Sequence, residues 1–179
     1  MIVFDMDGVL VDSRETILLA YRRAGVVAPD NILEQEATGW LEAMVGGVAP
    51  AQAIRDQKNR EYVNLLRNSD TALLPPFATA TQLYHEGHVV GLMTGAPKGS
   101  AQALREYCAE QRWGWPFARA VEGRSTERKM QWLAQVGGHG VYVDDQDRLV
   151  NVPEGWRFLK YDQQDAQTLY EEITACVCV

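Results

Sequence analysis

The segment FDMDGVLVDS, residues 4–13, sets two carboxylates one residue apart directly after an apolar run. A second acidic pair, Asp144 and Asp145, follows the apolar GVYV. Brought together, these groups would repel one another and raise each other's pKa, a cost that a hard divalent cation removes. Oxygen ligands without His or Cys among them suit Mg2+, which takes one or two carboxylates, keeps waters and leaves positions for phosphate oxygens. Thr94 after HVVGLM and Lys129 at the start of a helical stretch add a hydroxyl and an ammonium. Those are the donor and point charge that the non-bridging oxygens of a phosphoryl group require.

For these residues to act together, the chain must carry them to one place. MIVF, HVVGLM, ARAVEG, GVYV and WRFLKY read as buried strands, and the segments between them carry helical periodicity. Strands alternating with helices of about ten to fifteen residues make a parallel sheet with helices on both faces. Its ligand crevice lies beyond the carboxyl ends of the strands, where Asp5, Asp7, Thr94, Asp144 and Asp145 are expected. Between the first strand and the prolines Pro75 and Pro76, the chain reads as helical only, over 15–25, 31–46 and 49–68. The expected architecture is an α/β core with an all-helical insert after the first strand.

Composition narrows the function further. The 179 residues are enough for one sizeable core, and 46% hydrophobic with 23% charged residues is ordinary for a globular protein. No apolar run approaches the roughly 20 residues of a membrane span. MIVFDMD carries no basic n-region, so a secretory signal is not expected and the cytoplasm is the expected compartment. Three cysteines, Cys108, Cys176 and Cys178, fit a reduced compartment, and the CVCV end reads as an apolar tail. A net charge of -7 argues against a large polyanionic partner.

FDMDGVLVDS, then LMTGAP, then the lysine of RKMQWLA, then VYVDD resemble the four ordered motifs of the haloacid dehalogenase-like (HAD) hydrolases. The layout is most similar to the phosphoglycolate phosphatase and β-phosphoglucomutase branch. The resemblance implies a Rossmann-like parallel sheet over residues 1–13 and 73–179, with a short helical cap over 14–72. It implies that Asp5 is the nucleophile of an aspartyl-phosphate mechanism and Asp7 the acid and base. Asp7 would also offer its backbone carbonyl to the metal. Thr94, with the Gly95 amide beside it, would bind a phosphoryl oxygen, and Lys129 would offset the charge of nucleophile and phosphate. Asp144 and Asp145 would complete the Mg2+ site, with the direct ligand of the two left open. Asp7 itself argues against carbon–halogen chemistry, since dehalogenases of the family lack that second aspartate.

The reading that results is a Mg2+-dependent phosphatase for a small phosphorylated substrate, such as a sugar phosphate or nucleotide, with a terminal phosphate of nucleic acid still open. The substrate and the oligomeric state are not legible. A phosphomutase is the competing reading. A non-hydrolytic phospho-acceptor module is the competitor from another class; receiver domains order the acidic pair and acceptor the other way round. A calcium loop is excluded by Val9 and Val11 at positions that would need oxygen ligands. Lys98 is the rival ammonium. Trp113, Trp115 and Phe117 are expected to pack rather than stack on a base. Arg55, Lys58, Arg60 and Glu61 are expected to form a solvated helix face, with a phosphate-reading role for Arg55 or Lys58 as the alternative.

Overall fold

Five strands and seven helices form among the residues described by the computed structural model, which are 1–29, 31–32, 39–68, 71–123, 125–146 and 152–177. In chain order they are β1 (Ile2–Phe4), α1 (Arg14–Arg23), α2 (Trp40–Val45), α3 (Val48–Asn68), α4 (Pro75–His85), β2 (Val90–Met93), α5 (Ser100–Glu110), β3 (Arg119–Val121), α6 (Thr126–Val136), β4 (Gly140–Asp144), β5 (Trp156–Lys160) and α7 (Ala166–Val177). Residues 33–38 of the helical stretch expected over 31–46, and Cys178, lie outside the described residues. No helix among the described residues is long and apolar enough to cross a membrane.

All four strand pairings are parallel, in the order β3-β2-β1-β4-β5. The apolar composition of β1 suits its central place: Ile2, Val3 and Phe4 are at most 1% exposed, as a strand flanked and covered on both sides requires. Alternation divides the sheet into two faces. Ile2, Phe4, Leu92, Val141 and Val143 join the larger apolar cluster, with Leu83 of α4 and Leu169 and Ile173 of α7. Val3, Met93 and Tyr142 join a smaller one with Leu133 of α6.

Pro75 and Pro76, read from sequence as a boundary, occupy the first positions of α4. A missing N–H is no loss there, and the fixed φ suits the helix start. The helical excursion before them leaves and rejoins the core at one doorway. The Asp12 amide bonds the Ala72 carbonyl at 3.0 Å and the Leu74 amide bonds the Leu10 carbonyl at 2.9 Å. Within the excursion α1 packs on α3, and α3 also lies against α5 of the sheet region, where Arg67 and Glu106 pair at 2.5 Å.

Candidate active site

Register brings the first two acids together. Phe4 is level with Val143, and the Asp5 amide continues the ladder to the Val143 carbonyl at 2.9 Å. Asp5 and Asp144 therefore leave neighbouring strands on the face that α6 covers. Lys129, in the first turn of α6, is only 6% exposed and reaches into that space. Its ammonium donates to Asp5 Oδ1 at 2.8 Å, to the Tyr142 hydroxyl at 3.0 Å and to Asp144 Oδ2 at 3.2 Å. Tyr142 in turn donates to Asp144 Oδ2, and the Gln146 amide bonds Asp144 Oδ1 at 3.0 Å. The rival Lys98 is exposed and has no part in this network.

Burial dominates the electrostatics. It raises the Asp5 pKa to about 8, with Asp144 and Asp7 adding to the rise and Lys129 opposing it. For Lys129, burial pulls the pKa down, and Asp5 and Asp144 outweigh it to hold the ammonium above its usual value. Asp145 is pushed up to about 6 by burial and by Asp144. One ammonium thus faces more carboxylates than it can neutralise. Ligand oxygens of Asp5, Asp144 and Asp145 all lie within 4.8 Å of one another, and Asp145 Oδ1 is buried without a hydrogen-bond partner. These oxygen-only donors with excess negative charge fit a divalent cation of the Mg2+ type.

Asp7 points elsewhere. Its carboxylate accepts the Tyr62 hydroxyl of α3 on Oδ1, and Thr94 Oγ1 approaches Oδ2 at 3.4 Å. Burial raises its pKa, while hydrogen bonds from Tyr62 and Ser13 and the charges of Lys58 and Lys129 oppose the rise. Thr94 is fully buried, and its hydroxyl accepts the Ala96 amide at 3.0 Å. The loop carrying Asp7 is clamped by bonds from the Leu10 and Val11 amides to the Met6 carbonyl at 2.9 and 3.0 Å, with Val9, Leu10 and Val11 at 0% exposure. At its apex Gly8 has φ +78°, and a Cβ there would stand 2.2 Å from Asp145 Oδ2. Gly8→Ala is expected to cost at least about 1 kcal/mol from the left-handed backbone alone. It is also expected to displace Asp145, lowering the melting temperature and abolishing stabilisation by Mg2+ in a thermal melt.

A cavity of about 600 Å³ opens above these groups, with Asp5, Asp7, Lys129, Asp145 and Gly95 on its floor. Its other wall comes from α1 and α3 and includes Arg14, Tyr21, Arg55, Lys58 and Tyr62. The solvated face expected of α3 is therefore corrected in part. Arg60 is exposed, but Arg55 and Lys58 turn inward and Lys58 is only 9% exposed. Two groups escaped the reading of the sequence. Tyr62 looked like one more apolar position beside Leu65 and Leu66, and Tyr142 like strand filling. A buried tyrosine needs a partner for its hydroxyl, and the period-2 relation of Tyr142 to Asp144 was the available signal. Trp115 and Phe117 pack on each other at 4.9 Å between ring centroids, away from the cavity.

No family model and no curated protein matches the sequence. Solved structures do match. A HAD hydrolase of family IA, variant 3, from Entamoeba histolytica aligns at TM-score 0.66 and 13% identity, covering 98% of this chain and 89% of that one. CbbY from Rhodobacter sphaeroides, in complex with phosphate, aligns at 0.63 and 17%, covering 91% and 87%. A HAD-superfamily hydrolase of subfamily IA, variant 1, from Geobacter sulfurreducens aligns at 0.61 and 19%, covering 89% and 85%. Over nearly its whole length, this chain has the fold of the haloacid dehalogenase-like hydrolases.

Proposed function

We propose that the chain is a Mg2+-dependent phosphatase that hydrolyses a phosphomonoester through an aspartyl-phosphate on Asp5. The observation that carries this reading is the Lys129 ammonium held between Asp5 and Asp144, beside the partnerless Asp145 oxygen, at the floor of a cavity. An oxygen of Asp5 attacks phosphorus and the bond to the leaving alcohol breaks, with Asp7 giving its proton to that alcohol. Water then attacks the same phosphorus, Asp7 takes the water's proton, and Asp5 is freed as inorganic phosphate leaves. An acid for the first half must be protonated near neutral pH, in keeping with the raised pKa of Asp7. Lys129 neutralises Asp5 and the transferred group, and Thr94 and the Gly95 amide orient phosphoryl oxygens. Asp5, Asp145 and the Asp7 carbonyl would hold the metal, which when bound would offset charge on the phosphoryl oxygens. Asp144 serves by fixing Lys129, because both its oxygens already accept hydrogen bonds.

In this reading residues 14–72 form a cap and residues 1–13 with 73–179 the catalytic core. The shared doorway at Asp12 and Ala72 supports a hinge there. The substrate is a small phosphorylated metabolite, and the cytoplasm is the compartment proposed. The first experiment is phosphate release from an aryl phosphate with Mg2+ and with a chelator in its place; turnover that persists under chelation would overturn the metal dependence.

Stability gives a second check. Asp5 and Asp145 hold protons more tightly folded than unfolded, so metal-free stability falls as pH rises from the ordinary carboxylate range through about 6 and toward about 8. The melting temperature of the metal-free protein is expected to drop between pH 5 and pH 8. Mg2+ binding the ionised acids is expected to restore it, by about 2.7 kcal/mol at a hundredfold excess over Kd. A pH-independent melt would contradict this electrostatic account.

A further inference from the structure

Helix α5 begins without a cap of its own. The first N–H groups of a helix lack partners inside it, and the residue before the helix commonly supplies a side-chain oxygen. Here that residue is Gly99, at φ +96°, which has no side chain to offer. The oxygens come instead from Glu122, just past the end of β3, a strand that pairs only with β2. Glu122 Oε2 accepts the Gly99 amide at 2.9 Å, and Oε1 accepts the Ala101 amide at 2.5 Å. Two more bonds join the same two segments. The Thr94 amide donates to the Val121 carbonyl and the Gly123 amide to the Ala96 carbonyl, both at 2.9 Å. Within the loop, the Ala96 amide bonds Thr94 Oγ1 at 3.0 Å and the Ser100 amide bonds the Pro97 carbonyl at 3.1 Å. The amides of Thr94, Ala96, Gly99, Ser100 and Ala101 are thus engaged by the protein itself. Gly95, exposed on the cavity floor, is not among them.

A helix start carries partial positive charge and outward N–H groups, so an open one attracts anions. A carboxylate close to a phosphate-binding loop has the wrong sign for the ligand unless its own charge is absorbed. The start of α5 absorbs it through two charge-assisted hydrogen bonds. We infer that Glu122 is a positioning residue for the phosphoryl group. By occupying the start of α5 it directs phosphoryl oxygens to the Thr94 hydroxyl and the Gly95 amide, and it holds the loop that presents both. This rests on the phosphatase reading above for the place of the phosphate. Glu122 then acts on the phosphoryl end of any ester and on free phosphate alike, and not on the leaving alcohol.

Amide NMR spectra of isotope-labelled, full-length wild type with Mg2+ test the division directly when inorganic phosphate is titrated in. The Gly95 resonance is expected to move and those of Gly99 and Ala101 to stay. A Gly95 resonance that stays, or Gly99 and Ala101 moving as far as Gly95, would overturn the inference. In Glu122→Gln one of the two acceptors becomes a donor, and phosphate binding measured by calorimetry is expected to weaken about fivefold or more. Asp165→Ala is the control. Asp165 accepts the Gln167 and Thr168 amides at 2.9 Å at the start of α7, and it does not line the cavity. Its loss is expected to lower the melting temperature and leave phosphate affinity unchanged. Unchanged affinity in Glu122→Gln, or an equal loss in both variants, would reduce Glu122 to an ordinary helix cap. Weakened phosphate binding in Glu122→Gln, with no turnover of an aryl phosphate by the wild type, would keep the positioning role and overturn the phosphatase reading.

Discussion

Asp5→Asn protein is expected to release phosphate from an aryl phosphate at least about a thousandfold more slowly than the wild type, because an amide oxygen is a poor nucleophile toward phosphorus. The protein should remain folded, since Lys129 retains Asp144 and the Tyr142 hydroxyl as partners. Its stability should also respond less to pH than the wild type's. The substitution removes the carboxyl whose pKa burial lifts to about 8, and with it the loss of stability on ionisation between the ordinary carboxylate range and that value. Phosphate release and a urea titration at two pH values separate the effects. Turnover surviving in a folded Asp5→Asn protein would place the nucleophile elsewhere.

Lys129→Met should produce the opposite pattern. Removing one partner of a buried ion pair strands the other, at a cost of about 3–5 kcal/mol. Here two acids, Asp5 and Asp144, would be stranded in a space where they are 4% and 2% exposed. The loss should be greatest at pH 8, where the missing ammonium no longer favours ionised Asp5, and should shrink toward pH 5, where Asp5 already holds its proton. The wild-type ammonium gives no such slope over that range. Its pKa is raised above the ordinary lysine value, so its stabilisation is present throughout and fades only in strong alkali. Catalysis should disappear at both pH values, because the charge beside nucleophile and phosphate is gone. Urea midpoints for the variant at pH 5 and pH 8 check the sign. A variant equally destabilised at both would show that Lys129 contributes through packing of its stem and not through charge.

Much of this arrangement was legible one residue at a time. Strand ends were marked by apolar runs stopping at Asp5, Thr94 and Asp144, and parallel pairing follows from helices between them. Helix α6 was visible from TERKMQWLAQV, with Lys129 in its first turn. Only motif order ranked its ammonium ahead of that of Lys98, and the fold buried the one and left the other exposed. The prolines at 75 and 76 marked a boundary, but proline both breaks a helix and begins one, and only the start geometry of α4 shows that they begin it.

Sequence alone determined the element order, the helical excursion after β1 and the set of oxygen donors, because periodicity and residue type are local properties. The order of the strands, the side of the sheet on which Lys129 lies and the different surroundings of Asp144 and Asp145 emerge only in three dimensions. Asp144 has both oxygens hydrogen-bonded, whereas Asp145 keeps Oδ1 buried without a partner and sets Oδ2 in the space that Gly8 leaves open. The inward turn of Arg55 and Lys58 belongs with these. A charged helix position reads as solvent-facing until the packing of α1 on α3 decides which side of the helix is the inside.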